Sequence, residues 1–282
     1  MQELSDALAV AVDLAHQAGA LLRQIYEQGP KQVQAKQTAV DLVTEADLAS
    51  QKLLVAGLQA AFPGHAIVAE EAPAALPAAG AFWAVDPLDG TTNFAHGYPV
   101  FSVTLALLVD RVPLLGVTYD PLRDDLYWAL QSQGAWRNGR RLQVSATSDL
   151  GQSLLATGFH YDRATNPDNN LAEFSYFVPR TRGVRRAGSA ALDLAAVACG
   201  WLDGFWEKGL NVWDVAAGVL LIREAGGQVM TYDGRPWQAT DRNILVSNGV
   251  DAMREAFVSG LAAARKNAEL GTLNDGSEGT LS

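Results

Sequence analysis

Short apolar segments alternate with helix-forming segments along this chain, and this alternation restricts the folds that it can adopt. After about residue 145, strand and helix patterns follow one another to the end of the apolar sequence. The predicted strands of this half lie at 154–157, 202–206, 228–231 and 244–246, and the predicted helices at 190–199, 215–225 and about 251–265. Strands that alternate with helices in this way are typical of layered α/β proteins.

The first half combines two amphipathic helices with several strands. Apolar residues at helical spacing predict a helix over 3–26, which Gly29-Pro30 ends, and a second helix from about 46 to 62. Strands are predicted at 66–69, 82–85, 101–109 and 114–119, and at 142–144 after the turn-forming pair Asn138-Gly139. We therefore predict an α/β fold with an α+β first half and a layered α/β second half.

The composition excludes several classes of protein. The chain has 282 residues, 49% of them hydrophobic, which is enough for a large core. Its 21 basic and 31 acidic residues give a formal net charge of −10, which argues against binding to nucleic acids or membrane surfaces. Cys199 is the one cysteine, so a disulfide framework and a thiolate metal cage are excluded. Because no basic leader and no apolar run of roughly 20 residues is found, we expect a soluble, cytoplasmic protein.

An acidic turn follows the predicted strand 82–85 directly. Residues 86–94 read Asp-Pro-Leu-Asp-Gly-Thr-Thr-Asn-Phe. Ligands of α/β proteins collect where strands end, so Asp86 and Asp89 can converge on a cation together with the carbonyl of Leu88. A simple Asp-Pro turn with a helix cap would explain one Asp, but it does not explain two Asp followed by Gly and a Thr pair.

The same turn offers groups that can bind an anion. Gly90 allows a ligand to approach the backbone closely, and Thr91 adds an N–H and a hydroxyl. A short helix that begins at Gly90 would direct its free N–H groups at a phosphate. Carboxylates and a phosphate in one turn require hard cations between them.

Further acids stand at the ends of other predicted elements, namely Asp47, Glu70 and Asp214. Each has an ordinary explanation. Glu70 would be a solvated strand end, Asp47 would be the N3 residue of a helix that Thr44 caps, and Asp214 would be the N-cap of another helix. Ser189, in the small-residue segment 188–190, would likewise cap a third helix. Together with the acids of the turn, however, these carboxylates would repel one another and bind protons. Two or three Mg²⁺ ions would neutralise them and create a phosphoryl-transfer site.

These motifs, in this order, resemble those of the inositol monophosphatase family. The resemblance rests on Asp41, Thr44 and Asp47, on Glu70-Glu71, on the turn 86–94, on Gly188-Ser189-Ala190 and on residues 213–218, Trp-Asp-Val-Ala-Ala-Gly. It covers roughly residues 1–260 and implies the sandwich of alternating helix and sheet layers known from sugar phosphatases. We expect most metal ligands in a lobe over 1–145, Asp214 and the substrate-side residues in a lobe over 146–265, and a disordered tail over 266–282.

The resemblance also implies a role for each site residue. The first Mg²⁺ would be held by Glu70, Asp86 and the carbonyl of Leu88. The second would be held by Asp86, Asp89 and Asp214, and Glu70 would lie near a weak third. The catalytic residues would be Asp47, Glu70 and Thr91, of which Asp47 and Thr91 orient a metal-activated water. The substrate-binding residues would be Leu88, Asp89, Gly90, Thr91, Arg185, Gly188, Ser189, Ala190, Glu207 and Asp214.

The implied activity is Mg²⁺-dependent, lithium-sensitive hydrolysis of myo-inositol monophosphates, which are small phosphorylated polyols. The implied assembly is a homodimer. Related phosphatases act on fructose 1,6-bisphosphate, adenosine 3′,5′-bisphosphate or histidinol phosphate, so the reaction is better determined than the substrate. Some bacterial relatives contact transcription or RNA machinery, which leaves a mainly regulatory binding protein as an alternative from another class. The negative net charge argues against direct contact with nucleic acid.

Overall fold

The protein is built from alternating layers of helices and sheets. The structure, a computed structural model, describes residues 2–29, 33–35 and 42–275. The helices are α1 Gln2–Gln28, α2 Glu45–Ala61, α3 Thr91–Ala95, α4 Leu171–Phe177, α5 Ala190–Ala198, α6 Val212–Glu224 and α7 Asp251–Asp275. The strands are β1 Val33–Ala35, β2 Leu42–Thr44, β3 Ala66–Ala69, β4 Ala81–Asp89, β5 Ser102–Val109, β6 Val112–Asp120, β7 Asp125–Leu130, β8 Gly134–Arg137, β9 Arg140–Arg141, β10 Leu154–Thr157, β11 Gly183–Arg185, β12 Gly204–Lys208, β13 Gln228–Met230 and β14 Asn243–Ser247.

The strands form two main sheets. The 7-stranded sheet has the order β3-β4-β5-β6-β7-β8-β9 and is antiparallel except for the parallel pair β3 and β4. The 5-stranded sheet has the order β11-β10-β12-β14-β13. In the parallel pair Ala69 lies opposite Val85. Glu70 follows Ala69 and Asp86 follows Val85, so Glu70 and Asp86 lie at the same edge of the larger sheet.

The helices cover both sheets and fill the space between them. α1 and α2 pack on the outer face of the larger sheet, and α5 and α6 lie between the sheets. The approach of α6 is close, because a Cβ on Gly116 of β6 would lie 2.8 Å from the Cα of Ala217. On the outer face of the smaller sheet, Phe177 and Phe257 of α4 and α7 pack against Trp206. The layered α/β fold predicted from the sequence is confirmed.

The strand pattern differs from the prediction around the Asn138-Gly139 turn. The hairpin is present, but it joins β8 to β9, and residues 142–144 are not a strand. Leu142 lies in the core between the two sheets and donates its N–H to the carbonyl of Ala135 (2.8 Å). Its apolar character therefore reflects burial of a connecting segment, which a strand pattern cannot distinguish from a strand.

The last helix is longer than predicted. The sequence pattern predicts that it ends near Arg265 and that a disordered tail begins at residue 266, but α7 continues through Asp275. Residues 266–275 contain Lys, Ala, Glu and Leu, which are compatible with a helix although they lack an apolar face. Residues 276–282 and Asp41 lie outside the described residues. Among the described residues, no helix is both long enough and apolar enough to cross a bilayer.

Candidate active site

β4 carries the acidic turn to the edge of the larger sheet. Its pairing with β5 shifts register between Asp86 and Asp89, so the strand departs from a regular ladder where the acids lie. Asp86 Oδ1 accepts a hydrogen bond from the N–H of Leu88 (3.0 Å). From the neighbouring α2, Ser50 Oγ donates to the carbonyl of Pro87 (2.8 Å). These contacts fix the path of the turn from both sides.

Gly90 follows β4 in a conformation that favours glycine. Its φ is +98°, and a Cβ would lie 3.0 Å from the carbonyl oxygen of Val100 and 3.3 Å from that of Gly188. α3 begins at the next residue, Thr91, as the sequence predicts. Because Gly90 has no side chain to act as a cap, the first N–H groups of this helix remain open to an anion.

Three carboxylates meet beside this turn. Glu70, Asp86 and Asp214 each place one oxygen so that these atoms lie within 4.8 Å of one another. Glu70 follows β3, Asp86 belongs to the adjacent β4, and Asp214 lies in the first turn of α6. Oxygen ligands in this arrangement suit a hard divalent cation, so the group can hold a metal ion.

Burial makes these carboxylates dependent on a compensating positive charge. Burial raises the pKa of Asp86 well above its ordinary value, and the carboxylates of Glu70, Asp89 and Asp214 raise it further. Burial and Glu70 likewise raise the pKa of Asp214 well above its ordinary value. A divalent cation between them would favour the ionised forms, as expected for a metal site.

Asp89 faces the same cavity and is oriented by α5. Its carboxylate accepts hydrogen bonds from Ser189 Oγ, from the N–H of Ala191 (2.9 Å) and from the N–H of Ala190 (3.3 Å). Burial raises the pKa of Asp89 to about 6, and the hydrogen bonds from Ser189 and Ala191 oppose this rise. Ser189 is the N-cap of α5, as predicted. Asp89 therefore connects the acidic turn to the start of α5.

Asp47 has the capping role that the sequence offered and also contacts Thr91 of the acidic turn. As the N3 residue of α2 it forms a capping box. Its Oδ2 accepts hydrogen bonds from the N–H of Thr44 (2.8 Å) and from the hydroxyl Oγ1 of Thr44 (2.6 Å). Its Oδ1 accepts a hydrogen bond from Thr91 Oγ1 (2.8 Å). Burial raises the pKa of Asp47, while these hydrogen bonds oppose the rise. A buried carboxylate is thus held against the hydroxyl of Thr91, just after the acidic residues of the turn.

The acids and the turn surround one cavity of about 480 Å³. The predicted residues on its wall are Glu70, Asp86, Leu88, Asp89, Gly90, Thr91, Gly188, Ser189, Ala190, Glu207 and Asp214. Asp47 is fully buried and reaches the cavity through Thr91. Residues far apart in the sequence are therefore assembled at one place.

Two predicted positions need correction. Asp214 is not the N-cap of α6, because Asn211 has that position and Asp214 is the N3 residue that accepts the Asn211 N–H (2.6 Å). Arg185 is exposed on the edge strand β11 and does not line the cavity, whereas Arg186 does. Arg185 belongs to the strand, but Arg186 lies beyond its end, where the chain turns towards the cavity. Because the two arginines are adjacent in the sequence, the sequence does not show which of them lines the cavity.

Asn93 joins the two sides of the site, and the sequence analysis gave it no role. Its Nδ2 donates to the carbonyl of Val100 (2.7 Å) and to the carbonyl of Ala187 (2.9 Å), which precedes Gly188. The same amide therefore connects the acidic turn with the loop before α5. Its place within the turn motif 86–94 was the available signal, but its partners could not be identified from the sequence.

Asp193 lines the cavity and is not among the residues predicted for the site from the sequence. It is buried on α5 and lines the cavity with Glu207. Burial raises the pKa of Glu207 to about 8, and the nearby carboxylate of Asp193 adds to this rise. The position of Asp193 four residues after Ser189 was the only signal, because that spacing places both on one helix face.

Comparison with known sequences identifies the group to which the chain is related. The model of the inositol monophosphatase family matches residues 3–269. The chain belongs to the inositol monophosphatase family. The resemblance noted from the motifs is therefore confirmed over nearly the whole chain, and the chain is an enzyme of this phosphatase family.

Similar proteins cover most of this family member. Inositol-1-monophosphatase of Synechocystis is 47% identical over 248 residues, which are 88% of this chain and 86% of that protein. Nus factor SuhB of Pseudomonas aeruginosa is 43% identical over 232 residues, which are 80% of this chain and 86% of that protein. The solved inositol monophosphatase structure from Anabaena (Nostoc) has a TM-score of 0.83 at 44% identity, over 93% of this chain and 97% of that one.

Proposed function

We propose that this chain hydrolyses myo-inositol monophosphates in an Mg²⁺-dependent reaction that releases inositol and phosphate. The observation that carries the proposal is the meeting of Glu70, Asp86 and Asp214, with oxygens within 4.8 Å of one another, beside the turn at Gly90. The name of the Synechocystis relative supports inositol 1-phosphate as the substrate.

The proposed metal ligands follow the donor types around the turn. One Mg²⁺ would be held by Glu70, Asp86 and the carbonyl of Leu88. A second would be held by Asp86, Asp89 and Asp214, with Glu70 near a weaker third. Bound Mg²⁺ supplies positive charge that polarises phosphoryl oxygens and lowers the pKa of water. The raised pKa values of Asp86 and Asp214 support this assignment, because buried carboxylates of this kind need an opposite charge.

Asp47 and Thr91 would accept the proton of the attacking water. Thr91 Oγ1 donates to Asp47 Oδ1 (2.8 Å), so the hydroxyl oxygen can accept a hydrogen bond from water and pass its own proton to the carboxylate. The two hydrogen bonds from Thr44 hold Asp47 in this orientation. Glu70 would orient the water from the opposite side.

The substrate would span the cavity from the acidic turn to β12. The N–H groups of Gly90 and Thr91 would bind the phosphate, and Glu207 would accept a hydroxyl of the polyol. The backbone of residues 188–190 would line the mouth. Gly158 supports this placement of Glu207, because a Cβ at that position would collide with the carboxylate.

Phosphate release from myo-inositol 1-phosphate, measured with Mg²⁺ and with EDTA, tests the proposal. We expect release only with Mg²⁺, and loss of release in Asp89→Asn and Asp214→Asn. A panel with fructose 1,6-bisphosphate, adenosine 3′,5′-bisphosphate and histidinol phosphate, compared by kcat/KM, tests the substrate. Release from one of these esters and not from inositol phosphate would change the substrate, whereas release from none would overturn the proposal.

A regulatory binding role is the second candidate, because the relative from Pseudomonas aeruginosa is named a Nus factor. The negative net charge of −10 favours a protein partner over direct contact with nucleic acid. A purified partner that binds wild type and Asp89→Asn at equal stoichiometry would support this role independently of hydrolysis. Loss of binding in Asp89→Asn would instead attribute it to the active site.

Three further properties belong to the same proposal and rest on the family resemblance. Li⁺ would inhibit by replacing the second Mg²⁺, which a titration of activity with LiCl tests. The assembly would be a homodimer, which light scattering measures as a molar mass. The location would be cytoplasmic, which fractionation of cells that express the tagged protein tests.

A further inference from the structure

We propose that Asp193 determines substrate specificity. With Glu207 it would form a pair of carboxyl groups, the acceptor pair, that binds hydroxyls of a neutral polyol and disfavours a second phosphate at the same place. This inference rests on the proposed function and extends its polyol contacts from Glu207 to Asp193. The substrate class that it specifies is the monophosphate ester of a polyol with adjacent free hydroxyls.

The acceptor pair is buried in the cavity wall and has no polar partner there. Asp193 is 5% exposed and Glu207 is 9% exposed. Within the described part of the chain, neither side chain has a hydrogen bond or an ion pair. Buried carboxylates are normally satisfied, so a pair of this kind is suited to a ligand that brings its own donors.

Asp203 shows the contrasting arrangement of a buried acid in the same half of the chain. It is 7% exposed, and its carboxylate accepts hydrogen bonds from Ser145 Oγ (2.6 Å) and from the N–H of Leu154 (2.7 Å). These contacts join separate segments of the backbone. Asp203 therefore has a structural role that its partners explain, whereas nothing among the described residues satisfies Asp193.

α5 places Asp193 on the cavity wall one helical turn after Ser189. The N–H of Asp193 donates to the carbonyl of Ser189 (3.0 Å), so the two residues lie one turn apart on the same helix face. The hydroxyl of Ser189 contacts Asp89, which the proposal places at the metal end of the cavity. A substrate held there by its phosphate would extend its polyol towards Asp193 and Glu207.

The charges around the acceptor pair favour hydroxyls over a second phosphate. Arg186 is the nearby cation, and Asp89 adds negative charge. Burial raises the pKa of Asp193 well above its ordinary value, and Arg186 opposes this rise. A polyol brings donors and no charge, and carboxyl oxygens can accept from it in either protonation state. A phosphate dianion brings only acceptors, and above about pH 8, where Glu207 is ionised, it meets negative charge there. The cavity wall also carries Arg186 and Arg242. At such pH the acceptor pair therefore selects between these substrates by repulsion as well as attraction.

The test compares a polyol ester with an ester that has no hydroxyls. In Asp193→Asn, assayed at pH 8.5, where Glu207 is ionised, we expect the ratio of kcat/KM for myo-inositol 1-phosphate to that for phenyl phosphate to fall about tenfold. The fall should come mainly through KM, because a carboxyl acceptor for a polyol hydroxyl is lost. We also expect kcat/KM for fructose 1,6-bisphosphate to rise relative to inositol 1-phosphate. Asp193→Ser, which shortens the side chain, should change both ratios in the same direction.

Asp203→Asn is the matched control, because it changes a buried acid outside the cavity. It should lower the melting temperature and leave both ratios unchanged. Equal losses with all substrates in Asp193→Asn, in a variant that melts like wild type, would overturn the inference and leave Asp193 with a structural role. Failure of the proposed function is a different result, because wild type would then release no phosphate from inositol 1-phosphate. That result would overturn both proposals.

Discussion

Asp47 makes separate contacts that serve the fold and the proposed chemistry. Its Oδ2 closes the capping box of α2, and its Oδ1 accepts the hydroxyl of Thr91. A capping box needs a carboxylate at N3. A general base needs a carboxylate within hydrogen-bond distance of Thr91, the residue that would receive the proton of the water. The two needs use different oxygens, so neither role excludes the other.

Asp47→Asn is therefore expected to lower kcat by about 100-fold, the lower end of the range for loss of a general base. The amide preserves the shape of Asp47 and can still accept one hydrogen bond, so the melting temperature should fall only slightly. Steady-state kinetics with Mg²⁺ and thermal melting measure the two effects. Asp149→Asn is the matched control, since Asp149 caps a short helix at residues 150–152 away from the cavity. An Asp47→Asn variant with wild-type kcat would contradict the role of Asp47 as a base.

Glu207 gives a prediction for the pH dependence of stability. Burial raises its pKa to about 8 in the folded protein, from 4.5 for an ordinary glutamate. Between these pH values the folded state retains a proton that the unfolded chain has lost. Wild type in EDTA should therefore lose stability relative to Glu207→Gln as pH rises from about 4.5 to about 8, by a few kcal/mol at most.

Thermal melting of both proteins at pH 5, 6, 7 and 8.5, in EDTA, measures this difference. We expect Glu207→Gln to gain over wild type as pH rises and the gain to level off above the pKa. Glu255→Gln, at an exposed position on α7, is the control and should follow wild type. A difference in melting temperature between Glu207→Gln and wild type that stays constant with pH would show that burial does not shift the pKa of this carboxyl.

The connection from β4 to α3 is the element on which the site depends most. Gly90 lies between the strand and the helix with φ +98°, and a Cβ would be 3.0 Å from the carbonyl oxygen of Val100. Gly80, just before β4, has a similar φ of +85° but nothing within 4 Å of an added Cβ. A comparison of substitutions at the two glycines therefore distinguishes the effect of backbone strain from the effect of close packing.

Gly90→Ala is expected to destabilise the protein by about 1–3 kcal/mol more than Gly80→Ala, because its added Cβ also forces the backbone of the turn to move. The same movement should lower kcat. Gly80→Ala should show the strain alone, about 1 kcal/mol, with wild-type kcat. Urea unfolding and steady-state kinetics measure these effects. Equal losses of stability and activity in both variants would show that the contact with Val100 has no part in holding the turn.

Elements with clear local patterns could be predicted from the sequence, including the short strands β3 and β10, whereas β11 and α4 could not. The helical spacing of apolar residues gave α1 and α2, and the β-branched and aromatic segments gave β4, β5 and β6. β11 is three residues long within an arginine-rich segment, and α4 is seven residues long. In such short elements tertiary contacts outweigh local preference.

The same limit applies to the site. The acids that end elements, and the glycine and threonines that follow them, have a recognisable order along the chain. The roles of Arg186, Asp193 and Asn93 depend on which loops lie opposite one another, which one sequence does not reveal. The sequence does not distinguish Arg185 from Arg186, because the two are neighbours and only Arg186 lines the cavity, beyond the end of β11.

At the scale of the whole molecule, the site lies where the layers meet. Glu70 and Asp86 come from the larger sheet, and Asp214 comes from α6, in the helix layer between the sheets. The amide of Asn93 adds a further connection between the acidic turn and the loop before α5. A metal ion that binds all three acids would therefore add a direct connection between the larger sheet and α6.

Mg²⁺ should accordingly stabilise the folded protein. A ligand at one hundred times its Kd adds about 2.7 kcal/mol, which raises the melting temperature by several degrees in a chain of this size. We expect this rise in wild type and little of it in Asp214→Asn, because the variant removes the ligand that α6 contributes. Asp251→Asn, at an exposed position on α7, should keep the wild-type rise. Calorimetry over a titration of Mg²⁺ measures the shift, and an equal shift in Asp214→Asn would place the stabilising ion elsewhere on the protein.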